Sequence, residues 1–448
     1  MYGACANIMR FTFPQLFDFK SFKRLPKTPE WTRFRKYARR MQELGGWGDS
    51  GVQPSSEVLS VLQLCTAKKP LFPNLKTLEL CQVTGDFIPF IPLFLSPRTT
   101  TIDIMFDESD LPKAAVASMI AALPTLCPDL QGIHLQELPR DPMITAAVSE
   151  MLLATNQNTL RSVDVDSSLT QEAREMIFKL PNLNELVMTT ERETSLPSVV
   201  LPNLTNLTIQ CGEDSDWLQI FHGATFEKLE RVTFSSKSEP IGDFLEAFER
   251  VALAASAQNT LSAFLLYVSR PWRPKYRSLL PFTQLKEIYI GFSCTHGCSS
   301  TIDDGIITDI ARTMPRIKML RLGKAPCPTP TGVTAKGLAA LAYYCLHLST
   351  LRVHFQVTSL HPPAIFGVTS SDGPSTSRED CALTNLEVGK MPLSGESTLM
   401  VALTLLRIFP RIRNIVYLDK RWRRVADAIS LSGELLDQSS KKLSLPRP

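Results

Sequence analysis

The sequence predicts an α/β fold: a curved solenoid of stacked strand–turn–helix units, parallel strands lining the inside, helices outside, and a short helical cap at the N-terminal end. Three observations carry this. The pattern Leu-x-x-Leu-x-apolar recurs along the chain, as in Leu183, Leu186, Met188 and again in Leu204, Leu207, Ile209. Side chains alternate along a strand, so the fourth and sixth positions of each unit share one face, and one short strand cannot bury that face alone. Between many copies lie amphipathic, helix-like stretches.

Marked by the first apolar position, the units begin at 75, 99, 130, 160, 183, 204, 229, 261, 285, 317, 348, 383 and 412. They are spaced by 21 to 35 residues, in or near the period of leucine-rich repeats. The copy at 99 is the weakest, with Thr99 in place of Leu ahead of Ile102 and Ile104.

Taken in order, residues 1–56 form a basic N-terminal segment. It carries Lys20, Lys23, Arg24, Lys27, Arg33, Arg35, Lys36, Arg39 and Arg40. Thr28-Pro29-Glu30 reads as a helix start, and Trp31, Phe34, Ala38 and Met41, with Tyr37 and Leu44 alongside, fall at helical spacing up to Gly45-Gly46. This predicts one amphipathic helix that caps the solenoid. Residues 57–425 are the irregular solenoid of about 13 units, and 426–448 are a helix end and tail. Outer helices are expected over Pro112–Leu123, Pro142–Thr155, Thr170–Leu180, Ile241–Ala257, Ile302–Met314, Val333–Cys345 and Ser397–Phe409. The short spacings near 183 and 204 leave room only for a loop or a single turn on the outer side. Ser269–Pro281, Lys324–Thr331 and Thr358–Asp380 read as insertions.

Composition limits the function classes. The 448 residues carry 48 Lys+Arg against 44 Asp+Glu, which gives no general pull toward nucleic acid. No stretch approaches the roughly 20 apolar residues of a membrane span; Phe87–Leu95 is short and holds Pro89 and Pro92. The N-terminus has no basic region followed by an apolar core and a cleavage site, so the ten cysteines are expected to be reduced thiols in a cytoplasmic or nuclear protein. Cys294, His296 and Cys298 are the only cluster of soft ligands; they supply three groups where zinc needs four, and no metal is expected. Phosphate-loop, dinucleotide and nucleophile-elbow motifs are absent, so no cofactor is expected, and an enzyme built from groups that converge in the solenoid's hollow is kept only as a residual alternative.

The fifth and seventh positions point opposite to the fourth and sixth, onto the inner wall. In order they give Glu79, Asp103, His134, Gln136, Asp164 and Asp166, then Leu265, Tyr267 and Tyr289, then Arg321, Arg352 and His354. The wall reads acidic, then apolar and aromatic, then basic. Tyr and Arg dominate protein interfaces. A protein ligand is therefore expected at Tyr267, Tyr289, Arg321, Arg352 and His354, against the plainer reading in which such residues only solvate the sheet. The alternative partner is a nucleic acid held by the basic ends. The later cluster is Arg407, Arg411, Arg413, Lys420, Arg421, Arg423 and Arg424, but only Tyr417 and Trp422 are interleaved with it, so a polar cap on the last repeat is the preferred reading.

The repeats and the stretch Glu30-Trp31-Thr32-Arg33-Phe34-Arg35-Lys36-Tyr37-Ala38-Arg39-Arg40-Met41 resemble the fungal F-box/leucine-rich-repeat family, in which such a stretch lies between the F-box and the repeats. The resemblance implies the substrate-recognition part of a cullin ubiquitin ligase adaptor, held by a Skp-type adaptor. Two features depart from the family. The ninth unit position, usually Asn or Cys, is Val83, Leu138, Ser168, Glu191, Gly212, Lys237 and Ser293, and nothing ahead of residue 30 reads as the F-box.

Overall fold

The computed structural model describes residues 17–18, 21–22, 27–47, 54–66, 69–107, 111–190, 199–211, 224–236, 244–269, 274–292, 302–323, 332–356, 381–389, 393, 398–417 and 419–431. The Cys294–His296–Cys298 cluster, the insertions at 324–331 and 358–380, and the C-terminal tail lie outside them. The chain divides into two compact units, Met1–Gln210 and Cys211–Pro448.

In the first unit the strands β1 (Glu43–Trp47), β2 (Thr77–Val83), β3 (Thr101–Phe106), β4 (Gly132–Gln136), β5 (Ser162–Val165), β6 (Glu185–Thr190) and β7 (Asn206–Cys211) lie side by side in chain order. Each pair from β1 to β6 is parallel. The helices α1 (Thr28–Ala38), α2 (Ser56–Thr66), α3 (Lys113–Leu126), α4 (Pro142–Ala154) and α5 (Gln171–Ile177) alternate with them. The second unit repeats the scheme with β8 (Arg231–Ser236), α6 (Phe244–Ala254), β9 (Ala263–Val268), β10 (Glu287–Phe292), α7 (Asp304–Thr313), β11 (Met319–Leu322), α8 (Ala335–Tyr344), β12 (Thr350–Arg352), β13 (Asn385–Gly389), α9 (Thr398–Ile408) and β14 (Asn414–Tyr417). Its strands are parallel neighbours throughout. The α/β leucine-rich-repeat architecture expected from the sequence is therefore present in each unit.

One hydrogen-bond device recurs from repeat to repeat within each unit. The carbonyl after the first apolar position accepts two N–H groups from the next repeat: Gln42 from Lys76 and Thr77, Lys76 from Thr100 and Thr101, and so on to Asn184 from Thr205 and Asn206. In the second unit the chain runs from Glu230, which accepts from Ser262 and Ala263, to Thr384, which accepts from Arg413 and Asn414. Backbone groups buried between repeats need partners, and this shared carbonyl holds the register while the loops vary in length. Thr99 fits for the same reason: it is fully buried, and its hydroxyl donates to the Leu75 carbonyl at 3.2 Å. The standard asparagine position is lost, but Asn74, Asn182 and Asn203, one residue ahead of the first Leu, donate to the carbonyls of Arg39, Asn158 and Pro181 at 2.6, 2.8 and 2.7 Å.

The fourth and sixth positions form the core: Leu78, Ile133, Val163, Leu207, Phe264, Ile288 and Leu351 are completely buried. Phe248 of α6 lies edge-on to Phe234 at 5.7 Å and 4.9 Å from Phe264, so the helix covers this face. Repeats are also tied across their helices. The Asp304 carboxylate in the first turn of α7 accepts from Thr334 N (2.7 Å), Thr334 Oγ1 (2.6 Å) and Gly337 N (2.9 Å) at the start of α8.

Two expectations are corrected. The N-terminal helix ends at Ala38, and Leu44 belongs to β1, which pairs with β2. Gly45 is in that strand with the Glu79 side chain over it; an added Cβ would sit 2.6 Å from Glu79 Oε2. The helix does pack by its aromatic face, with fully buried Phe34 stacked on Trp31 at 5.0 Å and 6.2 Å from Phe72. The Ser269–Pro281 insertion is partly core, since it forms a 3-10 turn at Tyr276–Leu279 in which Tyr276 is 1% exposed. Among the described residues no helix is long and apolar enough to cross a membrane.

Candidate protein-binding wall

The face of each ladder opposite the core carries the third, fifth and seventh positions, and parallel register aligns them in rows. In the second unit the middle row runs Thr233, Leu265, Tyr289, Arg321, Arg352. A second row pairs Ser235 with Tyr267 and Tyr267 with Gly291. Tyr289 therefore does not face Tyr267 directly; it leans along its own strand over Gly291. A Cβ there would lie 2.6 Å from the Tyr289 ring, so the missing side chain is what lets the ring settle. The two tyrosines stack with centroids 4.5 Å apart and planes at 29°, and Tyr267 is 40% exposed. Burial raises the Tyr267 phenol above its ordinary value, and Tyr289 adds to this while Arg321 and Arg231 oppose it; the strand order sets Arg231 on β8 and Arg321 on β11, on either side of the pair.

Arg321 and Arg352 are not the bare basic end that the sequence reading expects. Both converge on Glu387 of β13: Arg321 Nη2 lies 2.5 Å from Oε1, and Arg352 pairs with Oε2. The Glu387 side chain is 9% exposed. A buried carboxylate needs such partners, and two cations around one anion leave a net positive charge, each guanidinium meeting Glu387 through one nitrogen. His354, expected on the open wall, is only 8% exposed and does not belong to the accessible surface. The wall thus brings together four of the five expected residues. Glu387 sits at a fifth position and was legible by the same rule. Arg231 and Glu287, paired at 2.8 Å, occupy third positions, which share the parity of the fifth and seventh.

The first unit's wall has different chemistry. Asp103, His134 and Asp164 align in one row, with Ser162 and Glu185 paired in the next. Gln136 Nε2 donates to Asp164 Oδ2 at 2.8 Å, and His134 Nδ1 lies 3.9 Å from the same oxygen. Ser162 Oγ is 3.1 Å from His134 Nε2 and donates to Glu185 Oε2 at 3.2 Å. A serine, a histidine and an aspartate in sequence suggest an activated nucleophile. The Glu185 carboxylate can only accept, so it takes the one hydroxyl hydrogen in this arrangement, and His134 Nε2 then meets Ser162 Oγ as a donor rather than as a base. Burial holds the carboxyls of Asp103 and Asp164 above their ordinary range, with His134 opposing in both.

Two of the described thiols are inert. Burial pushes Cys127 up to about 11 and Cys345 up to about 12, so both behave as small buried hydrophobes. No group of three or more His, Cys, Asp or Glu side chains among the described residues could hold a metal ion. At the basic C-terminal end, Trp422 is completely buried against Phe355, and Arg421 is held by Asp419 at 2.8 Å. The tryptophan that would stack on bases is part of the core.

No family model matches the chain, and no curated protein matches it. Among solved structures it is similar to an internalin (InlF) of Listeria monocytogenes, at 12% identity over 88% of this chain and 87% of that one, with a TM-score of 0.35. It is also similar to TLR13, solved as a complex with ssRNA13, at 12% identity over 77% of this chain and 49% of that one, with a TM-score of 0.35. The fold assignment rests on the strand ladders and their shared carbonyls.

Proposed function

We propose that this chain is a non-enzymatic protein-binding repeat module whose partner docks on the second unit's wall, over Tyr267, Tyr289, Arg321 and Arg352. The stacked tyrosine pair is the observation that carries the reading. An aromatic platform with one ring 40% exposed, flanked by guanidinium groups, combines the residue types that anchor interfaces. Glu387 holds Arg321 and Arg352 in place before binding, which lowers the ordering cost of association. The resemblance of Glu30–Met41 and the repeats to F-box proteins makes the substrate-recognition half of a ubiquitin ligase adaptor the assembly we put forward, with a Skp-type adaptor as second partner.

The test is affinity capture from native cells with mass spectrometry, comparing wild type with the double variant Tyr289→Ala/Arg321→Ala. The variant should melt as a folded protein and lose the partners that wild type recovers. Unchanged recovery by a folded variant would move the site off this wall. Recovery of Skp and cullin with wild type supports the ligase assembly, and capture of other proteins without them removes it.

A further inference from the structure

The first unit's wall carries Glu43, Glu79, Asp103, Asp164, Asp166 and Glu185 at its third, fifth and seventh positions, and no Lys or Arg stands at such a position in β1 to β7. Among the described residues neither Asp103, Asp164 nor Glu185 forms an ion pair with a lysine or arginine; His134 is the one basic group acting on the two aspartates. Asp164 is 8% exposed, yet its Oδ1 accepts no hydrogen bond. A carboxylate so deeply seated with one oxygen lacking a donor is costly. The cluster does not relieve that cost, since Gln136 and His134 both address the other oxygen.

We propose that this wall is a second binding surface, for a lysine- or arginine-bearing peptide segment, with cationic side chains seated against the half-buried Glu185 and Asp103 in the field of the buried Asp164. The carboxylates are spread over successive strands at the ladder spacing of about 4.8 Å and do not converge as a metal set. That spread matches cations carried along an extended chain. The negative wall repels phosphate, so the occupant is a basic peptide and not a nucleic acid. This surface does not depend on the tyrosine–arginine site of the second unit.

The experiment is fluorescence anisotropy of the full chain with a fluorescein-labelled peptide of alternating Lys and Gly, at low and at moderate salt. Asp164→Asn with Glu185→Gln should weaken binding by about tenfold or more. Glu150→Gln with Glu172→Gln removes the same charge from exposed positions on α4 and α5, and should change affinity by less than about twofold. Tyr289→Ala/Arg321→Ala should bind the peptide as wild type does, which keeps this test separate from that of the second unit's site. If the wall pair does not fold, Asp103→Asn, on the other side of His134, should weaken binding in the same direction. Absence of peptide binding by wild type, equal weakening by the wall and outer pairs, or undiminished binding by a folded wall variant would overturn the proposal.

Discussion

The link between α7 and α8 gives a prediction whose sign reverses with background. Asp304→Ala removes three hydrogen bonds to a carboxylate that joins adjacent repeats. Bonds to a charged group contribute about 1.5–3 kcal/mol each, but the sum is too large, because Thr334, half-buried at the helix start, regains water. The loss should be about 2–3 kcal/mol. Gly337→Ala places a Cβ 2.5 Å from Asp304 Oδ1, which must push the pinned carboxylate away. The lost bonding should exceed the gain of about 1 kcal/mol that Ala offers over Gly in a helix, leaving the variant about 1 kcal/mol less stable. In the Asp304→Ala background that oxygen is gone. The nearest remaining neighbours are Val333 Cγ1 at 3.3 Å and Asp304 Cα at 3.5 Å, so Gly337→Ala should then stabilise by up to about 1 kcal/mol. Urea denaturation of the four proteins, followed by circular dichroism, measures the coupling, expected near 2 kcal/mol. Additivity within about 0.5 kcal/mol would show that the carboxylate does not hold the two helices together.

Leu207 is completely buried at a fourth position, so Leu207→Asp should destabilise the first unit by roughly 4 kcal/mol or more; a native melting curve would mean the strand register is wrong. Asp164→Asn should stabilise the protein at neutral pH. Burial raises the Asp164 carboxyl above its ordinary value of 3.8, so its favourable contribution is fully present below the unfolded value and is lost as pH rises through the folded one. The advantage of the Asn variant should therefore shrink as pH falls toward 3.8, and a pH-independent difference in thermal melts would contradict the burial argument.

The repeat register was legible because it rests on strand parity and on short-range spacing. Each first apolar position from 75 to 412 in the first and second units stands one residue ahead of a carbonyl or an N–H pair in the ladder. The strand at Glu43–Trp47 was not legible, because Leu44 also fits a helical stripe and a Gly pair normally closes a helix. In the fold the exposed Glu79 side chain reaches over Gly45. At the site, Tyr267, Tyr289, Arg321 and Arg352 followed from position alone. Their pairing did not: the stacking depends on Tyr289 leaning over Gly291 of its own strand toward Tyr267, and the arginines depend on Glu387, which is 66 residues beyond Arg321. Parity says which face a side chain takes, and not how far it leans along the ladder or what it meets there.

The central claim is that a protein partner sits on the second unit's wall, and site-specific photo-cross-linking in native cells tests it most directly. A photoreactive phenylalanine replaces Tyr267 on the wall in one chain and Leu253 on α6 in another; the two native residues are 40% and 38% exposed. Irradiation should join a partner to the chain labelled at position 267 and not to the chain labelled at 253. Cross-links from 253 with none from 267 would place the partner on the helical side and contradict the account.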